Sequence, residues 1–323
     1  MPARQVGVMT LTQLNAFVLV ARLGSVTAAA TALGVSEPAV SQALSALRRH
    51  LGDRLIVRGS AGMTLTAGGN RLLSTAARIV ALGAEAQAAV REAQGAPEQL
   101  RVVATSVLSE FVVGPLLEAF GRRFAGPLEI SAGVAATGEM PVLVTNRLAD
   151  AALGPRVAVG PFREIVSEPI FRYKIIFVGA QGLPSRRGVG QCLWLVDPSG
   201  ADPRSDVGQL LGKLRIPEQR IRVFPNQTAA WGAAAEGAGI APAVAHLVAQ
   251  QLRRGELVVI DVPVAPAVAS WHVTVMNRER RTTAVGALRN FLSTPEAMQL
   301  MRSPAAGVPP SRFRPPVFVT IWS

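Results

Sequence analysis

Ser36, Glu37, Pro38, Ser41, Gln42 and Ser45 set hydroxyl, carboxylate and amide groups in one short stretch, interleaved with Val40, Leu44 and Leu47. The three apolar residues recur at helical spacing, so they bury one face and leave the hydrogen-bonding groups on the others. Groups of these types match the donors and acceptors that base edges present in the DNA major groove. Arg48 and Arg49 close the stretch, where cations complement a helix dipole and also reach phosphate. Further on, Arg54 and Arg58 flank the alternating Leu55-Ile56-Val57, and guanidinium groups there suit flanking phosphates or a minor groove.

The elements that would position these groups can be read from the same region. Leu14, Phe17, Val18 and Ala21 give a first helix with one apolar face. Ser25 is a good N-cap for Val26 to Leu33, and Gly34 suits the left-handed end of that helix. Ser36 caps the next helix, with Pro38 in its first turn. Small residues Ala28 to Ala30 let the two helices cross closely, as a helix-turn-helix requires. A plain helical hairpin in an α-bundle has the same spacing. The strand-like Arg54 to Arg58, the turn Gly59-Ser60-Ala61-Gly62 and the returning Met63 to Thr66 add a two-stranded wing and favour DNA binding. Ser25 and Thr27 join the candidate DNA contacts.

Leu72, Ala76, Ile79, Gly83, Ala86 and Val90 step by four, three, four, three and four along an Ala-rich stretch that stops at Gly95-Ala96-Pro97. This heptad seam suits a partner helix, and a helix packed on its own domain remains the alternative. Beyond it, short β-branched runs alternate with Ala/Leu-rich stretches, the signature of an α/β domain. Strands there lead into hydroxyl and amide residues at helix starts, where open α/β sheets bind small ligands and free N–H groups favour anions. Each such residue is also an ordinary N-cap.

The 323 residues suit two or three domains, and 49% apolar content supplies their cores. A net charge of +12 points to a polyanionic partner, nucleic acid or an anionic membrane surface. All but Lys174 and Lys213 of the cations are arginine. Cys192 alone excludes an intramolecular disulfide framework, and a buried structural thiol is the expectation there. No uninterrupted apolar run reaches membrane-spanning length and no secretory signal is visible, so a cytoplasmic protein without membrane association is expected. His50, His246 and His272 lack metal-ligand spacing, and Gly237-x-Gly239 lacks the context of a dinucleotide fingerprint. No nucleophile elbow, P-loop or carboxylate pair appears, so neither enzyme activity nor any cofactor or metal is expected.

Leu11 to Phe17, Gly24 to Ala30, Leu33 to Gln42, Leu51 to Leu55 and Leu65 to Gly69 together resemble the LysR-type transcriptional regulators, in order and without gaps. The resemblance implies an N-terminal winged helix-turn-helix (9–66), a linker dimerisation helix (67–96) and a C-terminal α/β effector domain (97–302), followed by a Pro-rich tail (303–323). The effector domain would fold like a periplasmic binding protein, with subdomain I at 97–167 and 263–302, subdomain II at 168–262, and a ligand cleft between them. Thr105, Ser106, Thr137, Ser199 and Thr228 are the candidate effector contacts. The implied partners are double-stranded DNA, a small-molecule effector such as a small organic or aromatic acid, further copies in a homodimer or homotetramer, and RNA polymerase. An architectural DNA-binding protein without a ligand and an α/β enzyme with an accessory head are the competing readings. Two residues depart from the family pattern: Glu37 stands where Gln is usual, and Arg48 where an acidic residue is usual.

Overall fold

The computed structural model describes residues 9–59, 62–158, 160, 164–183 and 189–303. The strand-like Val317 to Trp322 of the tail lies outside them. The described residues form two compact units. One runs through Glu98 and includes Val142–Ala149; the other comprises Gln99–Pro141 and the chain from Asp150 onward.

The first unit opens with helices α1 (Leu11–Leu23), α2 (Val26–Leu33) and α3 (Glu37–Leu51). Strands β1 (Ile56–Gly59) and β2 (Gly62–Leu65) follow, and then the long helix α4 (Ala67–Ala93). Side chains close the helix starts. Thr10 and Gln13 form a reciprocal capping box, Ser25 accepts from Ala28 N, and Ser36 accepts from Ala39 N. Gly34 takes φ 64, a left-handed turn that ends α2 so the chain can enter α3 directly. Leu14, Phe17, Val18, Leu44 and Leu47 form the buried centre of this head.

The wing starts later than the alternation of Arg54 to Arg58 suggests. Leu55 is in the left-handed region at φ 59 with its side chain buried, so strand pairing begins at Ile56, opposite Leu65. Asp53 holds this corner: its Oδ1 accepts from Leu55 N at 2.6 Å and from Thr66 Oγ1 at 2.8 Å. Thr66 N in turn donates to Leu55 O at 3.0 Å. The Leu55 N–H, and after it the Thr66 hydroxyl, hold the Asp53 carboxyl below the usual carboxylate range. The first turn of α4 presses on the same corner, so that a Cβ on Gly69 would fall on the Leu55 carbonyl oxygen.

In the second unit the chain forms β3 (Glu98–Ala104), α5 (Ser106–Leu108), a π-helical turn (Ser109–Val113), α6 (Gly114–Arg123) and β4 (Leu128–Val134). Next come α7 (Met140–Thr145), whose later residues group with the first unit, then β5 (Ala151–Gly154) and β6 (Ile165–Gly179). The order continues with β7 (Trp194–Val196), α8 (Pro198–Ala201), α9 (Asp206–Lys213), β8 (Ile221–Val223) and α10 (Gln227–Ala235). It closes with β9 (Ala241–Val244), α11 (Ala249–Arg254), β10 (Val258–Val259), β11 (Ala267–Met276), α12 (Thr283–Leu292) and α13 (Pro295–Arg302).

The main sheet has the order β10-β6-β11-β5-β3-β4, with β9 also on β6, and β7 and β8 form a separate parallel pair. β6 and β11 are its two long strands and pair antiparallel along most of their length. The C-terminal part of β11 carries β5, and the C-terminal part of β6 carries β9 and β10, so the strands belong to two lobes. Where they meet, the register shifts between Trp271 and His272, opposite Phe171 and Pro169. Pro169 has no N–H to give the ladder, and a bulge is where a strand tolerates that. At the other end of the sheet, Arg101 on β3 donates from Nε (2.9 Å) and Nη2 (2.8 Å) to the buried Asp150 beside β5.

The Asp53 corner can be tested from both sides. Gly69→Ala forces a methyl onto a backbone carbonyl and should cost about 1–3 kcal/mol, read as a lowered denaturation midpoint. Because the folded carboxyl titrates below its ordinary 3.8, Asp53 stabilises the fold above that pH and loses the effect as pH falls through the depressed value. Asp53→Asn should therefore flatten the acid limb of the stability–pH curve relative to the parent chain.

Candidate functional site

On α3, Val40, Leu44 and Leu47 face the core, while Ser36, Glu37, Pro38, Ser41, Gln42 and Ser45 are all exposed. The hydroxyl oxygen of Ser36 accepts from Ala39 N at 3.4 Å, a bond that leaves its hydrogen available to an outside acceptor. Thr27 on α2 is exposed, and Ser25 is half-buried with its oxygen on Ala28 N. Arg49 and Arg54 are exposed cations. Arg48 is placed differently from its neighbour. It is half-buried and Nη2 donates to Ile56 O at 3.2 Å, so the side chain braces the start of the wing. Arg58 lies in β1, and its side chain is outside the described residues.

The six seam positions of α4 divide. Ala76 is fully buried in the head, and a Cβ on Gly83 would stand 2.9 Å from Leu11 Cδ1, so this part of the seam packs on α1. Leu72 and Ile79 are half-buried. Ala86 and Val90 are exposed, and with Leu82 they leave an apolar strip on the second half of the helix.

The second unit holds a cavity of about 60 Å³. Thr105 and Thr137 line it from one lobe, Ser199, Asp206 and Gln227 from the other, and Tyr173 of β6 and Trp271 of β11 supply an aromatic wall. Asp197, Ser205 and Pro242 also face it. Three of the five hydroxyl residues singled out in the sequence therefore share one cavity. Of the remaining two, Ser106 sits behind the wall, bonded to Asp197 and at 3.0 Å from Ser199 Oγ. Thr228 is exposed, and its N–H donates to Glu110 Oε1 at 3.3 Å.

Protein side chains cap the starts of α8, α9 and α10 around this cavity, whereas Thr105 at the start of α5 makes no side-chain cap. Asp197 caps α8 by accepting from Gly200 N at 2.8 Å, and Ser205 caps α9 by accepting from Gly208 N at 2.9 Å. Asn226 caps α10 through Ala229 N, while Glu110 takes the N–H groups of both Gln227 (3.2 Å) and Thr228. By contrast, Thr137 is 5% exposed and its Oγ1 has no hydrogen-bond partner among the described residues. A buried hydroxyl without a partner carries a desolvation cost that a bound polar group would offset.

Burial pushes the Asp206 carboxyl up, with the Tyr173 hydrogen bond (3.2 Å) and His272 pulling it back in part. Burial likewise raises Glu110, opposed by Thr228 and Gln227 and reinforced by Asp197. Tyr173 is raised by burial first and by Asp206 second, so it stays a protonated donor. Sequence reasoning missed Asp197, Asp206, Tyr173 and Trp271. Asp197 caps α8 at the carboxyl end of β7 and Asp206 opens α9, a signal legible in the sequence; the two aromatics lie on strands whose pairing partners are remote in sequence.

Cys192 is half-buried rather than buried, and burial raises its thiol while Arg220 pulls it down. His246 sits in a turn after β9, its Nε2 3.0 Å from Met301 O and its ring edge-on to Phe171 and Trp271. No helix of the described residues is long and apolar enough to cross a membrane.

A winged helix-turn-helix with an exposed polar face, a long helix and a two-lobed α/β unit with a cavity together have the architecture of a DNA-binding regulator with a ligand-binding domain. The comparisons with known proteins give the family. Residues 11–70 match the bacterial regulatory helix-turn-helix of the LysR family, and residues 93–294 match the LysR substrate-binding domain. An HTH-type transcriptional regulator of Mycobacterium tuberculosis, Rv0377, is 35% identical over 98% of this chain and 100% of its own. CfxR of Cupriavidus necator is 29% identical over 88% of this chain and 91% of its own. Among solved structures, a full-length variant of AphB has a TM-score of 0.55 at 19% identity, covering 88% of this chain and 98% of that one. An OxyR mutant of Corynebacterium glutamicum has 0.52 at 20% identity, covering 93% and 94%. The chain belongs to the LysR family: it is a transcriptional regulator with a helix-turn-helix DNA-binding domain and an effector-binding domain.

The placement of the arginines separates two kinds of effect. Arg49→Ala should weaken DNA binding across sequences and reduce the salt slope of log K by about 1, as expected for one phosphate contact. Arg48→Ala should instead lower the thermal midpoint and leave that slope unchanged. Glu37 accepts hydrogen bonds only, so it suits a cytosine amino group, whereas Gln suits adenine. Glu37→Gln should shift the base preference in a selection from random DNA; an unchanged profile would remove Glu37 from the reading face.

Proposed function

We propose that two copies of this chain read the two halves of a promoter site, each through Ser36, Glu37, Pro38, Ser41, Gln42 and Ser45 on α3. Arg49, Arg54 and Arg58 would add backbone contacts, and Ser25 and Thr27 would anchor the turn. The observation that carries this reading is the face of α3: every polar residue of its first half is exposed, while Val40, Leu44 and Leu47 are buried on the opposite side. A net charge of +12 supplies the accompanying long-range attraction. A mobility-shift assay with promoter-upstream DNA against random competitor tests it. Specific binding should survive competitor excess, and equal displacement by both DNAs would favour an architectural role.

The second half of α4 supports dimerisation. Leu82 is 58% and Val90 57% exposed on a helix whose first half packs one face on its own head. An apolar strip of this kind is stable in water when a second helix covers it. Val90→Glu should shift the sedimentation profile toward monomer and weaken binding to a two-half-site operator more than to a single half-site. The cavity of the second unit is the proposed effector site, with Thr105, Thr137 and Ser199 among its contacts. The unpartnered Thr137 hydroxyl supports it over a ligand-independent protein.

A further inference from the structure

We propose, resting on the reading of this cavity as the effector site, that the effector is a small molecule bearing a cationic nitrogen group, an alkylammonium or a guanidinium, which Asp206 receives beside the Trp271 and Tyr173 rings. Anion recognition in an α/β cleft uses free N–H groups at helix starts or a facing cation. Among the described residues no facing cation lines this cavity, and the helix starts that its second lobe presents are capped from within the chain. Donors at the starts of α8, α9 and α10 are held by Asp197, Ser205, Asn226 and Glu110, and at the start of α5 the Ser106 N–H donates to Ser199 Oγ at 3.3 Å. Among the described residues, the lining carries two carboxylates, Asp197 and Asp206, and no lysine, arginine or histidine.

Arg204 is adjacent in sequence to a lining residue, but its side chain is exposed, packs on Gly138 and donates to Asp202 Oδ1 at 3.2 Å. His272 is the one basic group that acts on Asp206 among the described residues, and its Nδ1 is 3.0 Å from Ser270 O. The chain as a whole is strongly cationic, so two carboxylates in a mostly apolar lining without a basic residue run against its average. Burial holds the Asp206 carboxyl above its ordinary range, and an incoming cation relieves that burden where an anion adds to it.

The aromatic wall serves the same ligand. Tyr173 and Trp271 have ring centroids 4.9 Å apart, and both line the cavity. Indole and phenol faces attract a desolvated cation, and the Tyr173 hydroxyl already orients Asp206. The unpartnered Thr137 Oγ1 is a hydrogen-bond acceptor or donor for a second atom of the ligand. A volume of about 60 Å³ admits a head group of only a few heavy atoms.

Thermal unfolding of the full chain at pH 7.5 and fixed ionic strength tests the class. The probes are propylammonium and methylguanidinium chlorides, 1-propanol and sodium propionate. The two cations should raise Tm by about 2–4 °C at ten times their apparent Kd, with propanol and propionate giving little. Asp206→Asn should abolish the shift while leaving the ligand-free Tm equal or higher, because it removes a carboxylate that burial disfavours. Asp206→Ser serves as the second variant should the amide fail to pack. A Tm rise with propionate that Thr137→Val removes would overturn the cationic class and keep the cavity as effector site. No response to any probe, in a chain whose operator binding is also indifferent to Thr137→Val and Asp206→Asn, would overturn both.

Discussion

The antiparallel pairing of β6 with β11 is the contact on which the C-terminal unit depends. Residues 165–175 of one lie against 267–276 of the other, about ninety residues or more apart in the chain. One end of the pair carries β5 and, through it, β3 and β4; the other carries β9 and β10. The ladder is interrupted once, at the Trp271/His272 shift opposite Pro169. That interruption lies between the two lobes, and the aromatic residues Phe171, Tyr173 and Trp271 cluster around it. Their rings pack on one another, and Tyr173 and Trp271 give the cavity its apolar wall. The same few residues thus join the lobes and shape the place where a ligand would sit.

The head was legible because its signals are local. A capping serine, a left-handed glycine and apolar residues three or four apart act within a turn or two of chain, and Ser25, Gly34 and Ser36 do in the fold what their types suggest. The exception is Arg54 to Arg58, where period-two alternation suggests a strand from Arg54. Asp53 wins there: two donors on one carboxylate oxygen hold Leu55 at φ 59 and postpone the strand by two residues. Arg48 is also held by a long-range contact, since a cation near a helix end can meet phosphate or a neighbouring carbonyl. The carbonyl of Ile56 is eight residues away and belongs to an element the helix pattern does not contain.

The cleft was legible in type and less so in membership. Hydroxyls at strand ends led to Thr105, Thr137 and Ser199, which share the cavity, but also to Thr228, which does not line it. The difference is Glu110. Its carboxylate comes from a π-helical turn more than a hundred residues earlier and closes the start of α10 before any ligand can use it. No periodicity in the chain reveals that pairing, because it is made by two segments brought together only when the lobes have formed.

The same pairing changes the electrostatic character of the site. An open helix start is positive and draws anions; one satisfied by a buried carboxylate is neutral or acidic to whatever approaches next. Around this cavity two carboxylates, Asp197 and Glu110, already cap helix starts, which leaves Asp206 as the charge whose side-chain donor, among the described residues, is Tyr173. The starts of α8 and α10 are thereby occupied from within the chain, without any change in the order of the strands. Specificity in such a unit therefore rests on which segment fills each helix start, a property of long-range packing that composition and net charge do not carry.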